Sequence, residues 1–267
     1  MAILKKDLFE EGLIQSFKEV SVAEAICARP NKIDGQSATF TVMGTVALKD
    51  YEGTVDEDKI NTTGIKMLFD KAKYFAVAVD DIDRVQATAE LLMPITEEGA
   101  YAIKKDVETA IFAEAVAGAK AGNVIGSASA KKSIAKPEEA YDYIVALGEK
   151  LDNEVVPVAG RYLLAKPEFV NLLAKDERVL LHANQQVLPN GITSIDVNGI
   201  TVIKNTFVPA NQVIVMHNSA VAFAKQIDEL ETYRSQKAFA DVVRGLVNYG
   251  VKTLRPEGIA VLNYTIA

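Results

Sequence analysis

The chain has 267 residues, 49% hydrophobic and 24% charged, with 29 Lys and Arg against 36 Asp and Glu, two His, one Cys and no Trp. Those fractions exclude disorder and collagen-like order, and the length suits one elaborate domain or two modest ones. A net charge of −7 without a basic block argues against affinity built on nucleic-acid phosphates. The single Cys27 permits neither an internal disulfide nor a thiolate zinc cage, so a reducing cytoplasm fits.

Glu10 and Glu11 follow Met1 to Asp7 where a signal peptide would have an apolar run, and no apolar stretch approaches the roughly 20 residues of a membrane helix. Leu8, Phe9, Leu13, Ile14, Phe17 and Val20 recur at helical spacing, Ser21 with Glu24 reads as a capping box, and Arg29-Pro30-Asn31 ends the pattern. β-branched and small residues from Ser37 to Leu48 predict a strand. Lys49 to Lys59 holds five acids in eleven residues and is expected to be a solvated tip. A second extended run through Lys66–Phe69 and Tyr74–Val79, closing at Asp80–Asp83, completes a long projecting two-stranded loop.

Pro94 ends the next segment, and Thr96 with Glu97 and Glu98 predicts a helix start. Ile103, Val107, Ile111 and Ala115 step by four, so the helix is expected to run to Gly118, followed by a Gly/Ala/Ser-rich loop to Ser133. Pro137-Glu138-Glu139 opens a second helix with Ala140, Ile144, Leu147 and Leu151 on one face. A strand at Arg161–Leu164 and a short helix from Pro167 to Ala174 give an α/β alternation. Asn190-Gly191 and Asn198-Gly199 predict hairpin turns around Ile192–Val197. Further strands are expected at Ile200–Ile203, Gln212–Met216, Val221–Tyr233, Phe239–Leu254 and Ile259–Leu262. Asp228 to Glu231 should face solvent, and Arg255–Gly258 is a breaker.

Chemistry is scarce. His182 and His217 are the only histidines, each beside an apolar run, and read as structural; Cys27 reads as a semi-buried thiol. Gly118 to Ser127 lacks phosphate-loop spacing, and the runs Asp80-Asp81-Asp83 and Asp56 to Asp58 lack the ligands and central Gly of a calcium loop. No catalytic, cofactor-binding or metal residue is assigned.

An arm, a long loop with a charged tip and long β runs present more surface than a lone domain covers. The order of these elements, closing with the phrase Ala240-Asp241-Val242-Val243-Arg244-Gly245-Leu246-Val247-Asn248-Tyr249-Gly250-Val251-Lys252-Thr253-Leu254-Arg255-Pro256-Glu257-Gly258-Ile259-Ala260, resembles the major capsid (coat) protein of tailed bacteriophages, of the Hong Kong 97-like fold, over nearly the whole chain. The resemblance implies an α+β architecture: an N-terminal arm (1–34), an extended β-loop region (35–80), and a peripheral domain (81–134) with a spine helix at about 96–118. An axial α/β domain (135–220) and C-terminal strands returning to the peripheral domain (221–267) complete it.

It further implies a structural protein rather than an enzyme, without cofactor or membrane contact. Copies would assemble in the host bacterial cytoplasm into the pentamers and hexamers of an icosahedral shell, the virion capsid, enclosing double-stranded DNA without reading its sequence. Asp50, Tyr51, Glu52, Asp56, Glu57, Asp58 and Lys59 would contact a neighbouring subunit, with a separate scaffolding protein, a portal and decoration proteins as further partners. The chain lacks the extra N-terminal helical segment that some members carry and cleave, so a separate scaffolding protein, or a numbering that begins after processing, is expected. Some members form Lys-to-Asn isopeptide bonds; Lys59, Lys66, Asn248 and Asn263 are the right types, but the motif is absent and ordinary polar surface is expected. The alternatives are an encapsulin-type nanocompartment shell and a small-oligomer cytosolic α/β enzyme.

Overall fold

A computed structural model describes residues 22–30, 33–34, 37–43, 62–80, 92–181, 185–187, 193–235 and 239–266. Strands β1 (Ile33–Asp34), β2 (Ser37–Met43) and β3 (Thr62–Leu68) form an antiparallel three-stranded sheet, with Ser37 opposite Leu68 and Met43 opposite Thr62. These are the two legs expected of the long loop. The loop's acidic tip, with Asp50, Tyr51, Glu52, Asp56, Glu57, Asp58 and Lys59, lies outside the described residues.

The second extended run divides. β3 stays in the hairpin, whereas β4 (Lys71–Asp80) leaves it to pair antiparallel with β13 (Ala240–Thr253), which in turn pairs with β12 (Val221–Arg234). Period-two alternation fixes the faces of this second sheet: Val243, Val247, Tyr249 and Val251 are buried, while Arg244 and Leu246 are exposed.

An eight-stranded sheet holds the larger core. Its order is β5 (Val124–Ile125), β14 (Ile259–Ile266), β11 (Gln212–His217), β7 (Arg161–Ala165), β10 (Ile200–Lys204), β9 (Thr193–Val197) and β8 (Gln185–Val187), with β6 (Lys132–Ile134) also on β14. Strand β14 belongs to this sheet and not to the one formed by β4, β12 and β13. Residues 259–264 of that strand are buried throughout, so it needs a sheet covered on both faces and lies beside β11.

Helix α1 (Val22–Ala25) falls in the stretch expected to form the arm, and helix α2 (Leu92–Gly118), about 40 Å long, in the stretch expected to form the spine helix. It starts four residues ahead of the expected Thr96, because Pro94 falls in the first turn, where its missing N–H deprives no carbonyl of a partner. Helix α3 (Pro137–Asn153) starts as its sequence predicts: Pro137 occupies the first turn, and the Glu139 carboxylate accepts the Ala135 N–H at 2.7 Å and the Lys136 N–H at 3.3 Å. Those backbone donors hold its carboxyl below the usual range. Helices α4 (Pro167–Leu173) and α5 (Glu177–Leu181) follow.

Two cores meet at the eight-stranded sheet. On one face Val213, Val215, Ala260 and Leu262 pack with Ala140, Ile144, Leu147 and Leu151 of α3 and Phe169 of α4. On the other, Ile214, Met216, Ile259 and Val261 pack with Ile103, Val107, Ile111, Phe112 and Ala115 of α2. Phe223, Val247, Tyr249 and Val251 belong to that second core as well. One side of α2 is therefore packed between the two sheets while Lys105, Thr109 and Ala113 stay exposed, and the packed side is wider than the four residues spaced by four. No described helix is long and apolar enough to cross a membrane.

Candidate functional site

His217 and Cys27, which the sequence reads as a structural histidine and a semi-buried thiol, are both tied into the fold. His217, at the end of β11, has Nε2 3.0 Å from the Ala159 carbonyl, so Nε2 carries the proton; Nδ1 accepts the Ser219 backbone N–H at 3.2 Å and lies 2.8 Å from the Ser219 hydroxyl. Burial lowers its pKa, and the charges of Arg161 and Arg255 act in the same direction. Cys27 is buried beside Ala23 and Ile26, and desolvation, with the Glu24 charge, pushes its thiol up to about 12. His182 lies outside the described residues.

Among the described residues no three His, Cys, Asp or Glu side chains gather as a metal site. A cleft of about 230 Å³ between the arm and β12 is lined by Glu24, Arg29, Pro30, Ile33, Phe223, Ala224 and Lys225. That volume is below the roughly 300–1,000 Å³ of small-molecule sites.

The described residues show how the β2–β3 hairpin and the segment from Val22 to Pro30 are attached to the rest of the fold. The base of the long loop sits on β12 and β13: Ala38, Met67 and Phe69 pack on Ala222 and Ala224, and β3 crosses β13 at Gly250. Only small residues permit this approach, since a Cβ on Gly250 would overlap the Leu68 carbonyl. Further along the same face, Tyr74 and Leu246 stand opposite each other, 79% and 38% exposed. Arg244 pairs with Glu231 across the strands and stacks 4.9 Å from the Tyr233 ring centre. One half of this sheet face is covered by the loop's legs and the other is open and partly aromatic.

Carboxylates on the spine helix tie it to its surroundings. Asp106 accepts the Tyr249 hydroxyl at 2.6 Å and pairs with Lys73 of β4 at 3.5 Å; burial, then this acceptor, raises the Tyr249 pKa. Glu114 accepts the Thr253 N–H at 3.1 Å. Gly118 ends the helix where any side chain would strike Thr253. Glu108 is fully buried and accepts from two elements: the Val22 N–H of α1 at 3.0 Å and Asn205 Nδ2 at 2.9 Å. Beside it Phe207 lies against Tyr101 and Lys104 of the spine, with ring centres 6.1 Å apart and the ammonium 5.9 Å from the ring. Glu24 meets Lys225 Nζ at 2.8 Å, and its capping partner Ser21 is outside the described residues.

None of Asp106, Glu108 and Glu114 stood out in the sequence. A signal was present for Glu108, whose helical neighbours at three, four and seven residues on are Ile111, Phe112 and Ala115, all buried. Of the residues considered for cross-linking, Asn263 accepts Gln212 Nε2 at 2.9 Å and donates to the Gly126 carbonyl at 3.3 Å. Asn248 keeps a buried Oδ1 without a partner among the described residues, Lys66 is exposed, and Lys59 lies outside the described residues.

The phage capsid protein family matches residues 66–262, from β3 through the spine helix and both larger sheets into β14. The chain belongs to that family. Among solved structures, that of Mycobacterium phage Che8 is 26% identical, with a TM-score of 0.72 and 91% of each chain covered. The capsid of Cyanophage P-SCSP1u is 15% identical with a TM-score of 0.74, covering 93% of this chain and 89% of that one. A virus-like particle from Pyrococcus furiosus is 17% identical with a TM-score of 0.61, covering 97% of this chain and 99% of that one. The two lower identities speak for the fold alone. No curated relative matches by sequence. The α+β capsid fold is thus established, and this major capsid protein has a structural role in the shell.

Proposed function

We propose that copies of this capsid protein close into pentamers and hexamers of an icosahedral shell around the double-stranded DNA of a tailed phage. The observation that carries this is the family match across residues 66–262, joined to a fold shared with phage capsids over nine-tenths of the chain. In this reading residues 1–34 are the arm, 35–80 the extended-loop region, 81–134 with 221–267 the peripheral part and 135–220 the axial part. Identical chains meet through heterologous contacts, which close into rings when the rotation allows. Each contact can be weak because every enclosed copy is held by several neighbours at once.

The loop from Lys49 to Lys59 lies on a neighbouring subunit, its acids against basic side chains there. In support, the loop's legs are seated on β12 and β13, with Leu68 close over Gly250. A scaffolding protein, a portal and decoration proteins act on the same shell, which assembles in the bacterial cytoplasm. The DNA is enclosed and not read.

A second reading, an encapsulin-type nanocompartment shell, draws support from the coverage of 99% of the Pyrococcus furiosus virus-like particle chain. Negative-stain electron microscopy and sedimentation of the purified protein, with and without its co-expressed gene neighbours, test both. Uniform shells or ringed capsomers are expected. DNA inside them supports the phage reading and a protein cargo the nanocompartment. A monodisperse monomer or dimer under every condition overturns both.

A further inference from the structure

Glu108 is a buried carboxylate with which no Lys, Arg or His pairs among the described residues. Its two oxygens serve two different parts of the molecule. Oε1 accepts the Val22 N–H, where the arm enters α1, and Oε2 accepts Nδ2 of Asn205, just after β10 of the eight-stranded sheet. The orientation of Asn205 is fixed independently. Its own N–H donates to the Ala165 carbonyl at 2.9 Å, and its Oδ1 accepts the Phe207 N–H at 2.7 Å, which leaves Nδ2 for Glu108. Val22 begins the segment that buries Ala23, Ile26 and Cys27 against the spine helix and then bridges β12 through Ala28, which pairs with Ala222. The arm's seat is therefore built from one anion, one backbone N–H and one amide belonging to three elements.

We propose that Glu108 is a latch that couples seating of the N-terminal arm to the loop after β10. A desolvated anion needs both donors, and losing one leaves a buried charge short of partners, a cost that is relieved when the arm lifts and admits water. The arm is thus a two-state element, seated or released, and its equilibrium is sensed at Asn205. This goes beyond shell assembly and holds for a single subunit.

A glutamine at 108 has nearly the same shape but offers one oxygen and one NH2 group. Two donors face it, so whichever way the amide turns, one N–H opposes another. The test uses the full chain with Glu108→Gln and Asn205→Ala, followed by amide hydrogen exchange and by thiol labelling of Cys27, which the seated arm buries. In Glu108→Gln, exchange of residues 22–30 and the Cys27 labelling rate should rise about ten- to a hundredfold, the range for losing a hydrogen bond to a charged group. Exchange in β11 and β14 should stay at the parent level.

In Asn205→Ala the arm should open faster too, although no hydrogen bond joins Asn205 to the described arm residues. This second variant carries the test if the first does not fold. An arm as closed as in the parent in Glu108→Gln, or one indifferent to Asn205→Ala, overturns the latch. So does opening of the arm and the large sheet together, which would make Glu108 a residue of global stability.

Discussion

The backbone of Gly250 lies directly beneath the Leu68 carbonyl, where the base of the long loop crosses strand β13. This one approach determines how the loop's legs rest on the second sheet, and it leaves no space for a side chain. Gly250→Val should cost about 1–3 kcal/mol through displacement of β3. Gly122→Ala, at a position with open space, should be neutral. Thermal unfolding of the purified subunit distinguishes the two, and equal melting temperatures would disprove the seating described.

The acidic tip can be tested without disturbing that base. Replacing Asp56, Glu57 and Asp58 together by Lys reverses the charge of a segment proposed to meet a neighbour. Particle yield should fall while the melting temperature of the free subunit stays within about 2 °C of the parent. Normal particle yield would remove the role assigned to the loop.

Asp176 supplies a pH dependence. Hydrogen bonds from the Arg178 guanidinium, at 2.8 Å, and from the Arg178 backbone N–H hold this buried carboxyl below its ordinary range. A carboxyl lowered in the folded state stabilises above its unfolded pKa of about 3.9 and loses that contribution as pH falls through the folded value. Asp176→Asn should therefore be less stable than the parent at pH 7, by about 1 kcal/mol given that Arg178 is solvent-exposed. The difference should shrink below about pH 4. Melting curves from pH 3 to 7 check this, and a constant gap would contradict it.

Val155 follows the end of α3 with φ of 56° and is 88% exposed. A β-branched residue is strained in the left-handed region, where Asn is at ease, and this valine gains little from burial. Val155→Asn should raise the subunit's melting temperature by about 2 °C. A fall would show that the side chain makes a contact worth more than the strain.

The elements were legible because local signals agreed. Prolines at the starts of α3 and α4, the apolar steps of four in α2 and α3, and Asn198-Gly199, whose φ values of 51° and 74° suit the turn, each act over a few residues. The start of α2 was misplaced because Pro94 reads equally as a stop and as a first-turn residue. The separation of β4 from the loop was hidden because strand pairing is decided by partners about 170 residues away in β13.

The sequence by itself determined that this chain is an α+β protein with no recognisable catalytic motif, because periodicity, turn residues and composition are local quantities. Only the tertiary structure decided that the spine helix is sandwiched between two sheets, and that β14 belongs to the larger one. It also decided that Glu108, Asp106 and Glu114 are anchors rather than surface charges. Burial and hydrogen-bond partners come from residues distant in the chain, and a carboxylate carries no mark of whether water or Val22 and Asn205 will satisfy it.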